Sequence, residues 1–229
     1  MCNNKTDKTM DQLSGKQIEN FANSFFSQSQ HLSSEEDLNQ LISDFDADLL
    51  CSQMESLSVD QLVKFLRASH GYYLTKKLPE IEQSLAHIVN KFGSSHSLLA
   101  GLAVYFNNYK KKLVKHIRME EEMFFPFIET LAKAQEGKFT KKELELLLKN
   151  TTVEDFEDNH DSVEDELREV GQIIREYAAK SDAIFPFSVF LNQVSLFEYE
   201  LRKHAVIEDM VLVKKVVELE KELRENLAA

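Results

Sequence analysis

The chain has 229 residues, a formal net charge of −12 and 43% hydrophobic side chains, with only six glycines and three prolines. This composition supports a buried core and favours helix over sheet. The negative charge disfavours nucleic-acid and membrane-surface partners, and no apolar run approaches the roughly 18 residues of a membrane span. The N-terminus has no apolar leader, and Cys2 and Cys51 have no disulfide or metal-binding spacing. We therefore expect a cytoplasmic protein.

The first quarter of the chain differs from the rest in its charge. Residues 1–57 contain ten acids and three bases, and we interpret them as a distinct helical appendage. Residues 1–15 are polar and have no apolar period, so a disordered tail is expected there. Apolar residues then recur at helical spacing over 18–26 and 38–50, which predicts short amphipathic helices.

Residues 58–229 are predicted to form an all-α domain. Ser58 and Gln61 form a capping-box pattern at the start of the first long helix. Three helical patterns cover about 59–92, 97–134 and 141–180. A fourth pattern begins shortly before Pro186, which would lie in its first turn. Short loops between long helices make neighbours antiparallel, so the simplest architecture is an up-down-up-down four-helix bundle.

Three interruptions are predicted within these helices. Pro79 and Pro126 each remove a backbone donor and clash with the preceding turn. The apolar period resumes after both prolines, which predicts kinks rather than helix ends. Thr151 and Thr152 predict a break in the third pattern, because polar β-branched residues compete for backbone hydrogen bonds.

The most informative motif is a repeat of one histidine followed, about two helix lengths later, by His-x-x-x-Glu. Its members in chain order are His70, His116, Glu120, His160, His204 and Glu208. Residues four apart lie on one face of a helix, and the middle sections of antiparallel helices meet at similar height. Two halves could thus deliver four imidazoles and two carboxylates to one two-metal site. Such donors suit iron, with manganese or zinc also compatible.

A metal-free interpretation competes with this one. A single histidine on an apolar face is more often a hydrogen-bonded core residue than a ligand. Chance does not explain the number of motifs, however, because the composition predicts about one His-x-x-x-acid match and four occur. Burying six such groups without partners would cost several kcal/mol for each charged group. A metal pair offsets that cost, and we favour it over a structural bundle.

The remaining histidines are set aside. His31 lies in a polar, serine-rich segment, and His96 lies in a predicted loop where exposure is expected. His87 follows His70 by 17 residues, or about 260° around a straight helix, so the two do not share a face.

Other side chains near the predicted site have two interpretations. Glu164 stands one turn after His160 and could be a ligand, a hydrogen-bond partner of a ligand, or solvent-facing, which we favour. Tyr73, Tyr105 and Tyr109 lie on apolar stripes. Core packing is the simpler interpretation for them, and a hydroxyl donor to a metal-bound ligand is the alternative.

Four segments together resemble the hemerythrin-like domain. They read SHGYY at 69–73, HIRMEE at 116–121 with FP at 125–126, NHD at 159–161 and HAVIED at 204–209. The resemblance covers about 60–222. It implies a non-haem di-iron centre within a four-helix bundle.

Within that superfamily the chain is most similar to the iron–sulfur cluster repair proteins, which use four histidines and two bridging glutamates. The resemblance implies two oxo- or hydroxo-bridged iron ions. The resemblance also implies that His70 and His204 bind one iron and that His116 and His160 bind the other. Glu120 and Glu208 would bridge the two ions. The family's N-terminal vicinal cysteine pair is missing here, which puts thiol-assisted iron transfer in doubt.

The function implied is binding of O₂ or NO, or supply of iron to damaged iron–sulfur proteins under nitrosative or oxidative stress. An O₂ or NO sensor or store without repair activity is the alternative. A ferritin-like di-iron oxidase is disfavoured, because such sites usually have more carboxylates. We assign no catalytic residues, and we expect a metal- or gas-binding protein more than a turnover enzyme.

Overall fold

The structure, a computed structural model, describes residues 14–27, 35–93, 97–150, 152–157, 167 and 184–228. Within these ranges all regular structure is helical and there is no strand. The α-helices are α1 Gly15–Ser27, α2 Glu35–Ser43, α3 Ala47–Met54, α4 Val59–Tyr72, α5 Leu78–Phe92, α6 Ser97–Met119, α7 Phe125–Gln135, α8 Lys141–Asn150, α9 Val153–Glu157, α10 Ile184–Ile207 and α11 Lys214–Ala228. The described π-helical turns are π1 Tyr73–Lys77, π2 Glu120–Phe124 and π3 Glu208–Val213.

The first two predicted long helices have almost the predicted bounds. The first begins after Ser58, whose hydroxyl accepts from the Gln61 N–H, while the Gln61 side chain accepts from the Ser58 N–H. It runs through α4, π1 and α5, and the second runs through α6, π2 and α7. The prediction of an all-helical chain is confirmed for the described residues.

Of the third predicted helix, the structure describes 141–150, 152–157 and the single residue 167. Thr152 lies outside both α8 and α9, where the break was predicted. Two residues of α11 hold this break together, since Glu220 accepts from the Val153 N–H at 2.9 Å and Arg224 donates to the Leu148 carbonyl at 2.8 Å. His160 and Glu164 lie outside the described residues, so the four-helix arrangement stays a prediction.

Widened turns, rather than simple kinks, precede the two prolines. Pro79 and Pro126 are the second residues of α5 and α7, directly after π1 and π2. A π-turn bonds residues five apart, so it accommodates the missing proline donor and the steric demand of the ring. The third turn, π3, has no proline after it and was not predicted.

The N-terminal helices pack onto the same core as the later ones. The α1 residues Ile18 and Ala22 are buried, and the Phe25 ring meets the Phe65 ring of α4 edge-on at 5.6 Å. The second predicted appendage helix is two helices, because Asp46 caps α3 by accepting from the Leu49 N–H. The tail predicted to be disordered lies outside the described residues, except for its last two residues.

The proposed division into two domains at residue 57 remains a prediction.

None of the described helices combines the length and the apolar character that crossing a bilayer requires.

Candidate metal centre

Three side chains from three different elements meet in the interior. His70 from α4, Glu120 from π2 and His204 from α10 each present one donor atom, and these atoms lie within 4.8 Å of one another. Their residues are 2%, 0% and 6% exposed. Residues far apart in the chain therefore form one buried group that could hold a metal ion.

The ring nitrogens converge on a carboxylate oxygen. The Nε2 atom of His70 lies 3.2 Å from Nε2 of His204 and 3.1 Å from Oε2 of Glu120. Two imidazole nitrogens with a carboxylate oxygen form a donor set that suits iron, and also manganese or zinc. The residues present therefore fit the predicted metal in donor chemistry.

Glu120 stands between two histidines. Its other oxygen, Oε1, is 2.6 Å from Nε2 of His116, one helical turn earlier. The two carboxylate oxygens thus face two different imidazoles, His70 and His116. A carboxylate that bridges two metal ions needs this disposition.

Glu208 is the corresponding residue of the second half. It is buried, and its Oε2 atom is 3.4 Å from Nε2 of His204. Glu120 and Glu208 are the first residues of π2 and π3 respectively. Single π-turns inside α-helices occur frequently at functional sites.

Each of the two central histidines has its second ring nitrogen engaged as well. Nδ1 of His70 lies 2.8 Å from Oε1 of Glu121, and Nδ1 of His204 lies 2.7 Å from the Ser69 hydroxyl. That hydroxyl donates to the Leu66 carbonyl at 2.6 Å, so it accepts from the His204 Nδ1–H. Such outer contacts orient metal-binding imidazoles and leave Nε2 for the metal.

The electrostatics of the group favour positive charge at its centre. Burial lowers the pKa of His70, but hydrogen bonds with Glu120 and Glu121 and the charges of Glu120 and Glu208 raise it to about 9. Burial lowers the pKa of His204, and the nearby His70 lowers it further, against the opposing effect of Glu208. Without metal, one imidazolium is therefore stabilised among the carboxylates.

Aromatic rings enclose the histidines. The Phe125 ring stacks on His70 with centroids 5.6 Å apart and planes 12° apart, and Tyr73 meets His204 edge-on at 5.7 Å. The Tyr73 hydroxyl donates to the Glu200 carbonyl at 3.1 Å, in line with the core-packing interpretation. Tyr109 is buried and Tyr105 is half-buried. The Phe125 and Tyr73 rings restrict the access of water to the two imidazoles.

The other predicted residues divide into two groups. His87 is exposed on α5 and is not a member of the buried group of His70, Glu120 and His204. The residues that lie outside the described ranges are His31, His96, His160 and Glu164. Five of the six predicted ligands, His160 excepted, thus lie in these buried contacts, and their assignment as ligands stays a prediction.

The sequence did not predict which residues support the ligands. Ser69 and Glu121 are next to His70 and Glu120 in the chain, but each supports a histidine from another helix. The contacts Ser69–His204 and His70–Glu121 span 135 and 51 residues. The sequence showed only that Ser69 and Glu121 are adjacent to predicted ligands. Which histidine each of them contacts depends on the tertiary fold.

Comparison with known proteins supports the iron-related interpretation. The chain is similar to the iron-sulfur cluster repair protein ScdA of two strains of Staphylococcus epidermidis, with 21% identity over 160 residues in each case. The match covers 70% of this chain and 67% of each relative. No family model and no solved structure matches. The predicted resemblance to the iron–sulfur cluster repair proteins is confirmed, while the hemerythrin-like domain stays a prediction.

Proposed function

We propose that the protein holds two iron ions inside an up-down-up-down four-helix bundle and serves the repair of damaged iron–sulfur clusters. It would do so under nitrosative or oxidative stress, by supplying iron or by binding O₂ or NO. The similarity to ScdA, a protein named for cluster repair, supports the biological role. The buried His and Glu contacts support the metal.

The position of Glu120 carries the proposal. Its oxygens face His70 and His116 at 3.1 and 2.6 Å. In the proposed site these two histidines bind different irons, so Glu120 would bridge them. His204 would bind the first iron together with His70, and His160 would bind the second iron together with His116. Glu208, one turn after His204, would supply the second bridge.

The protein residues have separable tasks in this proposal. Glu121 and Ser69 hold the Nδ1–H groups of His70 and His204, which leaves both Nε2 atoms for metal. Phe125 and Tyr73 limit the access of water. When bound, the iron pair would supply redox-active Lewis-acid centres with room for a small ligand.

A gas sensor or store without repair activity is the second candidate. The observation that favours it is the burial of the site, since His70, Glu120 and Glu208 are almost inaccessible. A buried site admits a diatomic molecule more readily than a protein acceptor of iron. A ferritin-like oxidase is less favoured, because histidines outnumber carboxylates among the proposed ligands.

Metal analysis with optical spectroscopy tests the metal and gas parts of the proposal. Protein loaded with ferrous iron without oxygen should contain about two irons per chain, as in other bundle-core di-iron proteins. Its spectrum should change on addition of O₂ or NO. A chain that retains less than one iron, with no spectral change, would refute both candidate functions.

A reactivation assay separates the two candidates. Iron-loaded protein is mixed with an enzyme whose iron–sulfur cluster has been damaged by NO, and the recovery of that enzyme's activity is followed. Metal-free protein and an equal amount of free ferrous iron are the controls. Recovery above both controls supports repair. Its absence, with gas binding intact, leaves the sensor or store.

A further inference from the structure

The two central histidines have supports of different character. His204 is held by Ser69, which is fully buried, uncharged and anchored on the Leu66 carbonyl. His70 is held by Glu121, a carboxylate whose side chain is 28% exposed. One support thus lies inside the core, and the other reaches solvent.

An arginine connects the Glu121 support to the surface. The Nη1 atom of Arg67 lies 3.3 Å from Oε2 of Glu121, and its Nη2 atom lies 3.1 Å from Oε1 of Glu129. The guanidinium also lies over the Phe125 ring, 5.6 Å from its centroid. Phe125 stacks on His70 from within, so Arg67 contacts both neighbours that fix the His70 ring.

These two supports should respond differently to the solution. The Arg67–Glu121 pair is partly exposed, so salt weakens its attraction in part as the Debye length falls from about 30 Å at 0.01 M to about 8 Å at 0.15 M. The buried Ser69 contact involves no ion pair and is shielded from salt. The His70 support is therefore the one that events at the protein surface can weaken.

We propose that Arg67 and Glu121 are positioning residues that set how readily iron leaves the site, and that release begins at His70. This inference rests on the proposed iron centre. Loss of the Arg67–Glu121 contact frees Glu121 to turn toward solvent, and the His70 imidazole loses its orientation. With His70 loosened, a donor atom of the iron acceptor would take the place of Nε2, in a ligand exchange without electron transfer.

The test measures the rate at which excess bipyridine removes ferrous iron from the loaded protein at about 0.01 M and 0.15 M salt. Wild-type release should accelerate with salt. Arg67→Gln should release iron about 3- to 5-fold faster at low salt, the range that a partly exposed ion pair can supply, and should lose most of the salt dependence. Arg67→Lys, which keeps the charge, should fall between the two.

The matched control is the ion pair Arg118–Glu122, which joins α6 to π2, the turn that contains Glu121. Arg118 and Glu122 lie 3.7 Å apart and are 68% and 69% exposed, and neither contacts His70. Arg118→Gln should therefore release iron as wild type does and with the same salt dependence. Equal rates in Arg67→Gln and Arg118→Gln at both salt concentrations would overturn the proposal.

A readout without metal separates this inference from the proposed function. The ¹⁵N signals of the His70 ring in metal-free protein report which nitrogen carries hydrogen and whether the ring is held in one state. Glu121→Gln and Arg67→Gln should shift these signals, and Glu122→Gln should not. Unchanged signals would overturn the positioning role even if iron binds. Shifted signals in a chain that binds no iron would retain the positioning role and refute iron release together with the proposed function.

Discussion

The two halves of the molecule, residues 59–135 and 141–228, contain the same motif in different surroundings. In both halves, the glutamate of His-x-x-x-Glu is the first residue of a π-turn. Pro126 follows Glu120 by six residues, whereas Lys214 occupies the same position after Glu208. Proline is therefore not required for the widened turn. The turns π2 and π3 each begin at a buried glutamate, whereas π1 begins at Tyr73 and is followed by Pro79, so neither residue type alone accounts for all three.

The halves also differ in the residue after each glutamate. Glu121 reaches His70 of α4 and contacts Arg67, whereas Asp209, at the matching position, is exposed. The two positions therefore differ in residue type and in exposure, whereas the glutamates before them are both buried.

Removal of the two glutamates should have the largest effect and tests whether the halves are equivalent. Glu120→Ala should lose both irons, because Glu120 faces His70 and His116. Glu208→Ala should lose at least one. The measurement is iron per chain after anaerobic loading and desalting. Full iron content in the Glu208 variant would refute its bridging role.

Histidine variants provide the matched control for these losses. His116→Ala should lose at least one iron, since its Nε2 atom contacts Glu120 at 2.6 Å. His87→Ala, exposed on α5, should keep both. Equal iron loss in the two variants would indicate a general effect of removing imidazoles rather than a site.

The next effect concerns the ion pair that joins the halves. Lys77 of π1 lies 2.9 Å from Glu200 of α10, and both are buried. Lys77→Met should lower the free energy of unfolding by about 1.5–3 kcal/mol, because the buried Glu200 carboxylate loses a charged hydrogen-bond partner. The half-exposed pair Lys110–Glu82 serves as control, and Lys110→Met should cost about 1 kcal/mol or less. Urea denaturation of metal-free protein measures both, and equal costs would contradict this account.

The pH dependence of stability tests the raised pKa of His70. The folded pKa of His70 is about 9, above its ordinary value of 6.5. Its stabilisation is therefore present below pH 6.5 and is lost as pH rises through about 9. The unfolding free energy of metal-free wild type should fall over this range by about 3 kcal/mol relative to His70→Gln.

The comparison with His70→Gln removes the contributions of groups that do not interact with His70, such as Lys203. Burial lowers the pKa of Lys203 to about 8, and the charge of Glu200 opposes that shift. Lys203 therefore favours stability at higher pH, equally in both proteins. Parallel pH profiles of the two proteins would show that His70 is not charged in the metal-free fold.

The smallest effect is expected from Pro126. Because π3 forms without proline, Pro126→Ala should retain π2 and the full iron content. The change in unfolding free energy should be within about 1 kcal/mol, the usual range for proline replacements at compatible positions. Iron analysis and thermal unfolding measure the two quantities. Loss of iron in this variant would show that the two widened turns have different causes.

The sequence predicted more of the elements than of their contacts. The His-x-x-x-Glu spacing indicated which side chains share a face, because that depends on local helix geometry. Pro79 and Pro126 marked two of the described widened turns, but nothing in the residues before Lys214 indicated the third. The supports from Ser69, Glu121 and Arg67 depend on which helices pack against one another. The periodic pattern of one sequence does not indicate that packing. The packing of α1 against Phe65 was missed for the same reason.

The measurement that tests the central claim most directly is an anaerobic titration of metal-free protein with ferrous iron, followed by iron analysis of the desalted chain. The account predicts saturation at about two irons per chain in wild type and fewer than two in Glu208→Ala. Saturation below one iron in wild type, or the same stoichiometry in both proteins, would contradict a centre built jointly by the two halves.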